Sequence, residues 1–280
     1  MISVVVPVYN TAQFLERVIA AFKSQDMDDS GYEIIFVDNG STDDSLAILS
    51  QHEDIQTLQE VKRGSYAARN KGVLAARGDI IVFTDSDCFP VPGWLSAIEA
   101  HFDSHPQTQA LLGPRISPGN HRSLQLISDY ENKKAEMVCK SDDPQVFFGY
   151  TNNMAVRRSV IDSLGPYVER GRGSDTIFIR RLVDTQGCQA VEYCPDMAVR
   201  HAELESISVY YSKIMTYARS RKSYSHIETV RPLSRDERLA VFKEATRHSP
   251  VVDSLLLFSL LVGGAMAWWW GGLGVRQSDA

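Results

Sequence analysis

Asp85-Ser86-Asp87 is the sharpest chemical signal in the chain. It follows residues 80–83, a short apolar, largely β-branched run that reads as a buried strand, so both carboxylates leave the strand end in a loop. Two carboxylates one residue apart can share a hard divalent cation and leave its other positions open for phosphate oxygens. The same spacing also suits a solvated acidic turn. Asp38 follows a second apolar run, 33–37, with Asn39-Gly40-Ser41-Thr42 beside it. A carboxylate there can accept from a nucleobase N–H or cap the segment that begins near Asp43. Asp175 closes Gly171-Arg172-Gly173-Ser174-Asp175 at the start of a helical pattern. A carboxylate at a cleft mouth can act as a general base, or as an N-cap. His201 follows the strand-like 197–200 and can join Asp87 in a cation site or be a packed residue. Asn152 and Asn153 interrupt an apolar stretch, where they can bond a sugar hydroxyl or satisfy a turn.

The elements that must position these groups read as an α/β chain. Residues 2–6 form a buried strand ended by Pro7, and Asn10 or Thr11 caps a helix carrying Phe14, Leu15, Val18, Ile19 and Phe22. Strands at 33–37, 55–61 and 80–83 alternate with helices at 43–50 and 65–76. That alternation predicts a mostly parallel sheet with right-handed crossovers. Ligands of such sheets sit beyond the carboxyl ends of the strands, where Tyr9-Asn10, Asp38-Asn39 and Asp85-Ser86-Asp87 would gather. Further on, a helix runs from Pro90 to about Phe102, 113–122 reads as a loop, and 145–156 as strand, turn and strand. Helices are expected at 159–164, 175–186 and 207–223.

Net charge is −6 and gives no support for nucleic-acid binding. The charge is uneven: residues 213–248 hold nine Lys/Arg against four Asp/Glu. Cys88, Cys139, Cys188 and Cys194 form no C-x-x-C pair, which disfavours a zinc site. The chain leads directly into a core strand, so no leader peptide and reduced thiols are expected. Residues 254–275 contain no charge and include Trp268-Trp269-Trp270. As a helix they would reach about 33 Å, enough to cross a bilayer core. The expected organisation is a catalytic unit at 1–202 (1–88 for the nucleotide, 89–202 for the acceptor), a basic helical region at 203–250, and a transmembrane or membrane-associated helix at 251–275. The basic stretch puts the catalytic unit on the cytoplasmic face of the cell membrane.

Four motifs in order then resemble glycosyltransferase family 2. They are Val4-Val5-Val6-Pro7-Val8-Tyr9-Asn10, Val37-Asp38-Asn39-Gly40-Ser41-Thr42-Asp43, Ala68-Arg69-Asn70-Lys71-Gly72 and Phe83-Thr84-Asp85-Ser86-Asp87. Asn153-Met154-Ala155-Val156-Arg157-Arg158 is similar to the family's segment before the acceptor site. The resemblance covers about 1–202 and implies a GT-A fold, a nucleotide-diphosphate donor (usually uridine) and inversion at the anomeric carbon. It places Pro7, Tyr9, Asn10, Asp38, Asn39, Arg69, Asn70, Asp85 and Ser86 against the nucleotide sugar. Asp87, with Asp85 and His201, would hold Mg²⁺ or Mn²⁺, Asp175 would be the base, and Asn153, Ser174 and Arg181 would face a glycan or lipid-linked acceptor. One departure stands out: the family's Glu-Asp is Ser174-Asp175 here. No Q-x-x-R-W sequence of processive synthases occurs, which favours transfer of a single sugar. Two rival readings are a sugar-nucleotide nucleotidyltransferase, which would carry a Gly-rich N-terminal loop, and a non-catalytic scaffold with the same fold.

Overall fold

The computed structural model describes residues 1–28, 30–117, 121–202, 206–224 and 231–273, with side chains of the fourth stretch followed to Ser220. Ten strands and ten α-helices occur among them. In chain order they are β1 (Ile2–Val8), α1 (Ala12–Lys23), β2 (Tyr32–Asp38), α2 (Ser45–Leu49), β3 (Gln56–Gln59), α3 (Ser65–Ala75) and β4 (Ile80–Thr84). Next come β5 (Cys88–Pro90), α4 (Trp94–Ser104), β6 (Ala110–Leu112), β7 (Arg115–Ile116), α5 (Arg122–Cys139), β8 (Asn153–Arg157) and α6 (Arg158–Leu164). The rest are α7 (Ser174–Gln186), β9 (Val191–Tyr193), β10 (Val199–His201), α8 (Ile207–Tyr224), α9 (Arg235–Ala245) and α10 (Val251–Leu273).

The main sheet runs β3-β2-β1-β4-β8-β6-β9. β1 pairs in parallel with both β2 and β4, whereas β8 runs antiparallel to β4 and β6. Strand order therefore switches direction between β1 and β4, and a crevice opens there at the carboxyl ends. Strand parity divides the core. Val4 and Val6 face α1 and α4 with Phe22, Phe36 and Trp94, while Val5 faces the opposite layer with Ile35, Phe83 and Ile179. A small second sheet, β5-β10-β7, crosses the end of the first and carries the chain after Asp87 past His201.

Several sequence expectations shift. α1 lacks a side-chain cap from Asn10 or Thr11; instead Asp43 Oδ2 accepts from Ala12 N at 3.0 Å across the crevice. The expected loop at 113–122 contains β7 and the first residue of α5, a helix the sequence reading left out; 118–120 lie outside the described residues. The first strand of the 145–156 pair is absent: Pro144–Val146 form a 3₁₀ turn, with Asp143 accepting from Gln145 N. The tail helix lies along α8. Tyr211 Oη donates to Leu260 O at 3.0 Å, and the Arg122–Asp253 ion pair fixes its start to α5. Its other face is open, with Leu255, Phe258, Met266, Trp269 and Trp270 all exposed. The helix is long and apolar enough to cross a membrane by length and composition. Residues 274 and 275 of the expected segment, and 203–205 and 225–230 of the basic region, lie outside the described residues.

Candidate active site

β4 ends at Thr84, whose hydroxyl donates to Asn152 O at 3.1 Å, and the chain turns at once through Asp85, Ser86 and Asp87 into β5. Cys88 N donating to Asp85 O closes the turn. β10 pairs with β5 so that His201 lies opposite Cys88, and Ala202 N donates to Asp87 O at 2.8 Å. Sheet register thus delivers the imidazole to the carboxylate: His201 Nε2 sits 3.2 Å from Asp87 Oδ2. Burial pushes the Asp87 carboxyl up, but the His201 contact and the nearby Lys213 charge outweigh it, and the group lies below the ordinary carboxylate range. Asp85 moves the other way, driven up by burial and by the Asp87 charge against the pull of Arg69 and His201. The pair therefore splits into one firmly ionised carboxylate and one held by a cation.

That cation is Arg69. It is buried on α3, and its guanidinium meets Asp85 Oδ1 at 2.5 Å while its Nε is buried with no hydrogen-bond partner. One turn earlier on the same face stands Tyr66, whose hydroxyl accepts from Asp175 N at 3.4 Å. Burial raises the Asp175 carboxyl; the Thr176 N–H, the Arg69 charge and the Tyr66 hydroxyl pull against that rise. Arg69 thus lies within electrostatic reach of both Asp85 and Asp175; Asp175 itself lines neither of the two cavities, whereas its neighbour Thr176 lines the larger one. Gly149 approaches the start of α7 closely, since a Cβ there would stand 2.5 Å from Asp175 O.

At the carboxyl ends of β1 and β2, Pro7, Tyr9, Asn10, Asn39, Arg69, Asp85, Ser86 and Asp87 line a cavity of about 730 Å³. Asp38 lies beneath it, buried, and accepts from Gly40 N and Ser41 N at the carboxyl end of β2. Asn39 is committed to shape: it donates to Glu60 O and Lys62 O and accepts from Gly64 N. Asn10, in a left-handed conformation (φ 53°), accepts from Thr42 N at 2.7 Å. Arg63, which the sequence reading missed, stacks on the exposed Tyr9 ring at 4.8 Å and lines the cavity. Its signal was a basic residue just before the glycine that opens α3.

Four expected site residues are placed elsewhere. Asn70 exchanges hydrogen bonds with the Tyr167 backbone, donating at 2.9 Å and accepting at 3.0 Å, and so pins the 165–170 loop instead of meeting a nucleotide. Asn153 is fully buried. It accepts from Trp94 Nε1 at 3.0 Å and donates to Pro114 O and Met197 O, leaving nothing for an acceptor sugar. Ser174 is buried with its hydroxyl on Val168 O. Arg181 lies about 9 Å further along α7 than Asp175 and lines neither cavity. Asn152, beside Asn153, is the one that faces open space: with Thr176 and His201 it lines a second cavity of about 1410 Å³, and its Oδ1 is buried without a partner.

The donor set at Asp87 and His201 suits a divalent cation such as Mn²⁺ or Mg²⁺, carboxylate oxygen and imidazole together. Cys88 shares the cluster, but burial raises its thiol well above the ordinary value, so it stays protonated and is a poor ligand.

Comparison with known proteins gives three kinds of likeness. The family model described as Glycosyl transferase family 2 matches residues 3–165. Among curated proteins, Glycosyltransferase AglE of Haloferax volcanii is 30% identical over 193 residues, 65% of this chain and 61% of that one. The Pre-mycofactocin glycosyltransferase of Mycobacterium tuberculosis is 36% identical over 214 residues, 71% of this chain and 42% of that one. The match thus spans less than two thirds of either relative. Among solved structures, the mannosyltransferase PcManGT from Pyrobaculum calidifontis, in complex with GDP-Man and Mn²⁺, superposes with a TM-score of 0.62. It is 17% identical and the match covers 96% of this chain and 87% of that one, a likeness of fold.

Proposed function

Since the chain belongs to glycosyl transferase family 2 and has the GT-A fold, we propose that it moves a single sugar from a nucleoside-diphosphate donor to an acceptor hydroxyl, with inversion. The observation that carries this reading is Arg69, which engages Asp85 on the diphosphate side and acts on Asp175 on the acceptor side.

The nucleotide lies in the cavity at the β1–β4 switch, its base toward Asp38 and the Tyr9–Arg63 stack, with uridine donors tried first. Arg69, with its unspent Nε, and the amino end of α3 at Gly64-Ser65 face the diphosphate. Asp87 and His201, with Asp85, would hold the divalent cation, which when bound would neutralise charge on the departing diphosphate. The acceptor enters from the second cavity, past Asn152 and Thr176. Asp175 takes the proton from its hydroxyl as the oxygen forms a bond to the anomeric carbon; the bond from that carbon to the diphosphate breaks on the opposite face. The raised Asp175 carboxyl is the stronger base for it. Positioning by the two cavities supplies much of the remaining barrier reduction.

We further propose that the protein works on a lipid-linked or envelope glycan at the cytoplasmic face of a membrane. The open face of α10 would enter the interface with the helix lying in the membrane plane. Its packing along α8, which carries Lys213 and Arg219, argues against a perpendicular span, since those charges would be drawn into hydrocarbon.

The test is a screen of nucleotide sugars for release of nucleoside diphosphate with Mn²⁺ or Mg²⁺, run on the parent and on Asp87→Ala. The expected result is release that needs metal and falls by at least about 10² in the variant. No release from any donor would leave the scaffold reading; release of pyrophosphate would mark a nucleotidyltransferase.

A further inference from the structure

The second cavity is too large and too apolar for a free sugar acceptor. Its volume of about 1410 Å³ exceeds the roughly 300–1,000 Å³ of ordinary small-molecule pockets. It runs between α5, α8, α9 and α10, from His201 and Thr176 beside the catalytic cleft out to Phe258, Leu261 and Trp268 on the tail helix. The far end is thus continuous with the helix whose outer face is exposed and apolar.

The charges on its walls are mostly positive. Five Lys or Arg residues line it against one acid, Glu131, in a chain whose net charge is −6. Lys134 is neutralised by Glu131, and Arg231 by Asp143 and Glu237. Arg115 is different. Its guanidinium lies over the Tyr150 ring at 3.8 Å, its Nε is buried without a hydrogen-bond partner, and no carboxylate among the described residues pairs with it. A stacked, half-desolvated guanidinium offers fork geometry to a phosphate. Lys213 lines the same inner end near Asp87. Apolar walls, a cationic inner end and an opening at a membrane-facing helix fit one kind of molecule.

We infer that the acceptor is carried on a long-chain lipid phosphate: the phosphate meets Arg115 and Lys213, the hydrocarbon chain fills the groove toward α10, and the attached sugar hydroxyl reaches Asp175. This rests on the glycosyltransferase reading and adds the acceptor class and the residues that select it. The phosphate is what separates this occupant from a membrane lipid tail or an apolar peptide.

The test is equilibrium binding to the full chain, followed by tryptophan fluorescence, with geranylgeranyl phosphate, geranylgeraniol and inorganic phosphate as probes. The expected order is tight saturable binding of the lipid phosphate, weaker binding of the alcohol and none of inorganic phosphate. Arg115→Gln should weaken the lipid phosphate at least about tenfold and leave the alcohol nearly unchanged, since only the charged contact is lost. Val262→Trp, which fills the groove from α10, should weaken both. Circular dichroism confirms that each variant folds. Equal binding of phosphate and alcohol, or an Arg115→Gln variant indistinguishable from the parent, overturns the inference. Metal-dependent donor hydrolysis is measured on the same preparation. Hydrolysis without lipid-phosphate binding sinks this inference alone, whereas selective binding without hydrolysis sinks the transferase reading and leaves the lipid site standing.

Discussion

Replacing Asn153 with Leu should cost the fold far more than any change at its neighbour Asn152. Asn153 joins three pieces of chain: Trp94 Nε1 from α4, Pro114 O before β7, and Met197 O before β10. Leu keeps the volume and removes every polar contact. Pro114 O still accepts from Val199 N, so it keeps a partner. Trp94 Nε1 and Met197 O are stranded, each at about 1–3 kcal/mol, or roughly 4 kcal/mol together. At about 2–4 °C per kcal/mol, the melting temperature should fall by roughly 8–16 °C. Asn152→Ala removes a buried oxygen that already lacks a partner, so its melting temperature should stay within about 2 °C of the parent. It should raise KM for the acceptor instead. Thermal unfolding by circular dichroism decides the matter. An Asn153→Leu protein as stable as the parent, or an Asn152→Ala protein less stable than Asn153→Leu, would refute the assignment of one asparagine to structure and the other to the acceptor.

Three further outcomes follow from the same geometry. Tyr66→Phe removes a hydroxyl that holds the Asp175 carboxyl down, so the acid limb of the rate profile should move to higher pH; an unmoved limb would detach Asp175 from the base role. Asp175→Asn should abolish transfer yet raise the melting temperature at neutral pH. The folded-state carboxyl lies above its unfolded value, so the native state binds that proton more tightly, and stability falls as pH rises through the two values. The gain should vanish in acid, and a variant less stable than the parent at neutral pH would contradict the burial argument. Gly271→Leu places a Cβ 2.6 Å from Met215 O, which forces α10 away from α8. Protease should then cut at the end of α10 faster than in the parent, and equal rates would mean that the contact is dispensable.

The half of the site at the ends of β1, β2 and β4, where the nucleotide is proposed to lie, was legible because those strands are buried on both faces over most of their length. β1, β2 and β4 read as largely apolar runs, broken only near their starts by Ser3 and Glu33, and each run ends where a polar turn must begin. The proposed acceptor half was not. α5 buries Leu124, Leu126, Ile127 and Tyr130, which lie on more than one side because the helix is packed between the sheet and α9 and α10. Its start carries no signal either, since His121 caps it with no side-chain hydrogen bond and no acid stands in its first turn. Single-residue assignments failed for a related reason. Asn70 follows Arg69 by about 100° of helix turn, so when Arg69 faces Asp85, Asn70 must face Tyr167. Asn153 opens β8 with its side chain inward, and Asn152 precedes it on the other side. Motif membership named Arg69, Asn70 and Asn153 alike and passed over Asn152; only the register of the element separates the member at the site from the one beneath it.

Register also explains the departure at Ser174. Its position at the start of α7 aims the side chain at Val168 O and buries it, and Gly173 turns the backbone there through φ 88°. The loop before the base is thus closed by a short hydroxyl contact, where a longer acidic side chain would set a carboxylate against a carbonyl oxygen in a buried site. A chain with serine at this position therefore has no acidic partner beside Asp175 to grip an acceptor. On the proposed function, the contacts would come from the groove wall beside the base, where Asn152 and Thr176 stand. If that is right, Ser174→Glu should lower the melting temperature without tightening acceptor binding. A variant that bound acceptor more tightly at unchanged stability would show that position 174 reaches the cleft after all.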